Sequence, residues 1–138
     1  MKIVNFETNN GVRMGVVDGA TVIDVQAADA KMPGELGAFL RSGGDFKALA
    51  ELVKKAPDGA RRPLAGLKFS LPVVNPGKII CLGLNYLDHV KEGPQKDNIP
   101  KFQSILCRMR TARAPLGQPL MRPKKSIQLD YEGEWFVI

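Results

Sequence analysis

The chain has 138 residues, 44% of them apolar and 25% charged, with a formal net charge of +6. That length holds one ordinary domain, or a small domain with part of another, and the composition excludes wholesale disorder. No apolar run approaches the roughly 18 residues of a membrane-spanning helix, and Met1-Lys2-Ile3 opens no secretory leader, so a cytoplasmic protein without membrane contact is expected.

From the N-terminus, residues 2–6 alternate enough to form a strand. Asn9-Asn10-Gly11 marks a hairpin turn, RMGVV (13–17) the return strand, and Asp18-Gly19 a second turn into a third strand, TVIDV (21–25). Leu36, Phe39 and Leu40 then share one face of a short helix, which stops at Ser42-Gly43-Gly44-Asp45. Phe46, Leu49, Ala50 and Val53 repeat the spacing, with Lys54 and Lys55 in the last turn and Pro57 beyond it. Residues 57–77 are rich in proline and glycine and read as a linker holding one short strand, KFSLPVV. A domain boundary falls near residue 70, dividing the chain into 1–70 and 71–138.

Beyond it, KIICLGL (78–84) reads as a buried strand, with Cys81 inside it. Asn85 to Glu92 reads as one or two helical turns ended by Gly93-Pro94. Phe102–Cys107 is a short strand. Turns at Pro115, Gly117, Pro119 and Pro123 lead to a final strand, Ile127 to Ile138. The pattern is α+β and mainly β. Because Trp135-Phe136-Val137-Ile138 stops on apolar residues in mid-strand, an N-terminal piece of a longer protein is expected.

Three segments carry candidate chemistry. His89, the only histidine, stands three residues before Glu92, which puts both on one helix face. A carboxylate in reach of an imidazole fixes its tautomer and raises its basicity, as a base that activates water requires. The bland alternative is a solvated surface helix in which Glu92 pairs with Lys91 or Lys96. In a strand, Asp130, Glu132 and Glu134 point to one face, where three carboxylates repel unless a cation sits between them. Oxygen ligands favour Mg²⁺, Mn²⁺ or Ca²⁺. The alternative is a solvated acidic face with Tyr131 and Trp135 packed behind it.

The third segment is basic. Lys101, Arg108, Arg110, Arg113, Arg122, Lys124 and Lys125 have no acid among them, and the acids of 130–134 follow. A guanidinium suits bidentate binding of a substrate carboxylate. The combination fits a small anionic substrate better than nucleic acid, whose phosphates the acids would repel. A basic binding module with no catalytic activity is the competing class. Cys107 has cationic neighbours but no catalytic partner nearby, and Cys81 and Cys107 make neither a disulfide framework nor a metal-finger spacing.

In this order the segments resemble the fumarylacetoacetate hydrolase (FAH) family. Pro76-Gly77-Lys78-Ile79-Ile80-Cys81-Leu82-Gly83-Leu84-Asn85-Tyr86-Leu87-Asp88-His89 is similar to the family's signature. Leu129-Asp130-Tyr131-Glu132-Gly133-Glu134 is similar to its metal-binding strand, with Gln118-Pro119-Leu120 and Arg122-Pro123 resembling the link into it. Arg13-Met14-Gly15-Val16 and Asp18-Gly19 resemble the small N-terminal domain of many bacterial members. The resemblance implies a β-meander and helical domain followed by the truncated start of a mixed β-sandwich roll.

It also implies a hydrolase that cleaves a C–C bond of a small 2-oxo or 1,3-dioxo acid. His89 would be the general base, Glu92 its orienting partner, Glu132 and Glu134 metal ligands for Mg²⁺ (or Mn²⁺ or Ca²⁺), and Arg108 a substrate contact. The third ligand, an aspartate, would lie past Ile138, so the chain alone is expected to be inactive. The full-length protein would be a homodimer. Related isomerases and decarboxylases share the same core, so reaction type stays open.

Overall fold

The computed structural model describes residues 1–94, 96–129 and 134–138. Its N-terminal part is an antiparallel sheet in chain order, β1 (Lys2–Thr8), β2 (Gly11–Asp18), β3 (Thr21–Asp24) and β4 (Arg61–Pro63). The first hairpin closes where expected, with Thr8 opposite Gly11 and Asn9-Asn10 between them. Gly11 takes a φ of 101°, open to glycine at little cost. The second turn also forms, but Asp18 pairs with Thr21, so its loop is Gly19-Ala20, with Gly19 at φ 58°.

The third strand is shorter than its apolar pattern predicts. Asp24 accepts from the backbone N–H of Ala27 and caps α1 (Val25–Ala28), so Val25 leaves the strand. A carboxylate that satisfies an orphan helix N–H outweighs the β-preference of one valine. The helices α2 (Leu36–Arg41) and α3 (Phe46–Lys54) fall where the spacing places them. Asp45 caps α3 by accepting from Lys47 N and Ala48 N, each at 2.9 Å. The Phe39 and Phe46 rings meet edge to face at 5.2 Å across the connection.

The helices cover one face of the sheet. Met14 and Val16 of β2 pack with Val25, Phe39 and Leu49, and with Ile3, Met32, Leu36, Leu52 and Val53 around them. Asn5 lies buried at the border of this core. Its amide donates to the carbonyls of Leu71 and Pro72, each at 3.0 Å, and its carbonyl accepts from Leu36 N at 3.1 Å. One side chain thus ties β1 to α2 and to the segment leaving the sheet, with no buried side-chain polar atom orphaned among the described residues.

The opposite face centres on Gly15. A Cβ there would meet Val22 Cγ1 at 2.3 Å and Phe6 Cε1 at 3.0 Å. Gly15→Ala is therefore expected to destabilise the protein by about 2–3 kcal/mol, read by urea unfolding. Adding Val22→Ala should recover part of that loss; strict additivity of the two would show that the close approach is not the cause.

The linker strand is placed differently from expectation. The ladder strand is Arg61–Pro63, whereas KFSLPVV makes only one bridge, Phe69 to Phe6. Pro72 lacks the N–H that would extend pairing, and Asn5 takes the Leu71 and Pro72 carbonyls instead.

The remainder contains a two-stranded antiparallel sheet, β5 (Ile80–Gly83) with β6 (Ser104–Cys107), and α4 (Leu87–Glu92) between them. β5 is not the buried strand its apolar run predicts: Ile80 is 58% and Leu82 40% exposed. Apolar content marks a strand that can be buried; burial itself requires a second layer, and all of β6 is exposed too. Cys81 is half-buried and Cys107 exposed. The final strand is not seen at 127–129 or 134–138, neither of which has ladder pairing; Asp130, Tyr131 and Glu132 lie outside the described residues. A strand pattern without an adjacent edge has no partner for its N–H and C=O groups.

Candidate active site

A cavity of about 640 Å³ lies where segment 71–76, β5, β6 and residues 134–137 meet. Its size suits a small-molecule site. Apolar side chains such as Ile80, Leu106 and Trp135 form most of its wall, and Asn85, Arg108, Arg113 and Glu134 supply polar groups. The structure therefore brings together three of the charged residues singled out in the sequence, Arg108, Arg113 and Glu134, two cationic and one anionic. Arg108 is placed by its backbone: its N–H donates to Ile79 O at 3.1 Å, continuing the β5–β6 pairing past Cys107.

Arg113 lines the cavity and also braces the scaffold. Its guanidinium donates to Val73 O at 2.6 Å and Val74 O at 2.9 Å, and its Nε to Arg110 O at 2.7 Å. The planar fork that recognises carboxylates here gathers backbone carbonyls and fastens the cavity's floor.

His89 and Glu92 ride on α4, as the sequence predicts, and both are exposed. They are not part of the cavity wall. Lys91 pairs with Asp88 at 3.4 Å, an exposed i,i+3 contact, rather than with Glu92. The helix is fixed through Val90, which is 2% exposed and whose N–H donates to Tyr86 O at 3.1 Å. Tyr86 in turn meets the C-terminal segment, its hydroxyl accepting from Trp135 N at 3.4 Å.

The expected metal ligands are only partly described. Glu132 lies outside the described residues, and Glu134 is exposed at the cavity. Among the described residues no three His, Cys, Asp or Glu side chains converge on a point that could hold a cation. Glu134 is the one expected ligand among the described residues.

Asn85 and Tyr86 stand in the signature-like segment, and the sequence assigns them no role. The structure places Asn85 on the cavity wall and Tyr86 at the contact with Trp135. Polarity beside a strand end was the available signal, but only the fold shows what each faces.

Comparison with known proteins decides the family. Residues 78–138 match the sequence family described as fumarylacetoacetate (FAA) hydrolase C-terminal. Residues 78–138 belong to the fumarylacetoacetate hydrolase family. It is 30% identical to the Xenopus laevis protein named "Oxaloacetate tautomerase fahd2, mitochondrial", over 97% of this chain and 42% of that one. It is 29% identical to "Fumarylacetoacetate hydrolase domain-containing protein 2 homolog" of Dictyostelium discoideum, over 100% of this chain and 46% of that one. It is 30% identical to "Oxaloacetate tautomerase YisK" of Bacillus subtilis, over 100% of this chain and 51% of that one. The chain thus spans about half the length of these relatives or less. Two of the three names describe a tautomerase; neither of those describes hydrolysis. No helix among the described residues is long and apolar enough to cross a membrane.

Proposed function

We propose that the full-length protein is an FAH-family enzyme that interconverts the keto and enol forms of a small 2-oxo diacid of the oxaloacetate type. The supporting observation is that relatives named oxaloacetate tautomerases align with 97–100% of the chain, the His89–Glu92 helix included. This favours the isomerase alternative over the hydrolase expected from the sequence. Keto–enol exchange removes a proton from the carbon next to the carbonyl and delivers one to the carbonyl oxygen. It consumes no water and breaks no C–C bond.

In this reading His89 moves the proton, because an imidazole exchanges protons near neutral pH. Glu92 orients the ring, and Arg108 binds a substrate carboxylate at the cavity. Divalent-metal use goes with the family; Glu132 and Glu134 would contribute carboxylate ligands for Mg²⁺ or Mn²⁺. The domain division at residue 70, the sandwich roll, the homodimer, the cytoplasmic location and the lack of nucleic-acid binding belong to the same proposal.

The test uses the full-length protein and two substrates. Loss of the enol absorbance of oxaloacetate should accelerate with enzyme, while an acylpyruvate should stay uncleaved. Cleavage of the acylpyruvate with no effect on oxaloacetate would return the assignment to the hydrolases.

A further inference from the structure

Leu84 has φ 55°, the one positive φ at a non-glycine position among the described residues. That region is populated by glycine and, less often, asparagine, and is strained for a branched side chain. Leu84 sits between the end of β5 at Gly83 and the start of α4 at Leu87. The strand end is tightly seated: a Cβ at Gly83 would meet Ser104 Cβ at 3.3 Å and Leu106 Cδ1 at 3.4 Å. The direction in which the chain leaves β5 is therefore set within a few residues of a fixed point.

The helix it leads into cannot place itself. α4 has six residues, and its N-cap, Tyr86, makes no side-chain capping hydrogen bond. So short a helix without a cap has little intrinsic stability. Val90 anchors it on one side, and the turn at Leu84 supplies the approach. Strained backbone persists where the surrounding structure over-determines it, and such outliers concentrate at functional sites.

We propose that the left-handed turn at Leu84 is a positioning element for His89, acting through its backbone conformation rather than its side chain. The proposal rests on the proton-transfer role given to His89. Residues that accept a positive φ should preserve the site, and residues that refuse it should displace α4.

The experiment compares Leu84→Gly and Leu84→Asn with Leu84→Ile and Leu84→Pro in the full-length protein. Glycine and asparagine should keep kcat within about twofold, whereas isoleucine and proline should lower it about tenfold or more with KM little changed. The imidazole resonances of His89, assigned by their loss in His89→Gln, should move in the second pair and stay in the first. These resonances need no substrate, so they report on the turn even if tautomerisation is not the reaction. Unchanged resonances and kcat in Leu84→Ile and Leu84→Pro would overturn the proposal. Equal losses in Leu84→Gly and Leu84→Asn would overturn it as well, by assigning the effect to the side chain.

Discussion

Replacing His89 with alanine in the full-length protein is expected to lower kcat for oxaloacetate tautomerisation by roughly 100- to 10,000-fold, the range for loss of a positioned acid–base group. His89 is the only histidine among these 138 residues. It lies on the exposed side of α4 while Val90 carries the helix's packing. A thermal midpoint measured beside kcat separates lost chemistry from lost fold. Added imidazole should restore part of the rate. Glu92→Gln should cost less, because it leaves the proton carrier in place and removes only its orienting charge. Wild-type turnover in His89→Ala would remove His89 from the mechanism.

Replacing Asp24 with alanine is expected to destabilise the N-terminal sheet by about 3 kcal/mol, the lower end of the range for breaking a buried ion pair. The Asp24 carboxylate is fully buried, and Arg13 and Arg62 reach it with side chains 24% and 44% exposed. Arg13 donates at 3.0 Å and Arg62 Nε at 3.1 Å to one carboxylate oxygen, while the other accepts from Ala27 N at 3.1 Å. Alanine removes the ion pairs and the helix cap together. Because both guanidiniums retain access to water, neither bears the full cost of a stranded charge. Asp24→Asn keeps a capping oxygen and should recover about 1 kcal/mol. Urea midpoints of the two variants measure both quantities. Equal stability of Asp24→Ala and the parent would show that the network contributes nothing net.

The N-terminal half was readable because its signals are local. Asn9-Asn10-Gly11 and Asp18-Gly19 specify turns through the backbone freedom of their residues, and Leu36, Phe39, Leu49 and Val53 specify helices through spacing. Where the structure departs from the sequence pattern, contacts distant in sequence decide. Val25 went to a helix because Asp24 caps it, and Asp24 is held by Arg62, 38 residues away. Arg61–Pro63 is the ladder strand because it finds the free edge of β3, while KFSLPVV lies beside β1, where Asn5 takes the carbonyls of Leu71 and Pro72.

The candidate site divides in the same way. His89 and Glu92 were legible as a helical pair, since three-residue spacing is a property of the helix alone. The family was legible too, because the motif around His89 and the acidic segment 129–134 are each short unbroken stretches of sequence, and the match over residues 78–138 bears it out. Sequence alone could not distribute the arginines: Arg108 and Arg113 both reach the cavity with Glu134, but Arg113 is also bound to the carbonyls of Val73 and Val74. Nor could it foresee the left-handed turn at Leu84, since leucine carries no signal for that conformation. Motif, spacing and turn chemistry are local, and the chain states them directly. Which guanidinium meets a carbonyl, which strand finds an edge and which residue bears strain are settled only when distant segments compete for the same partners.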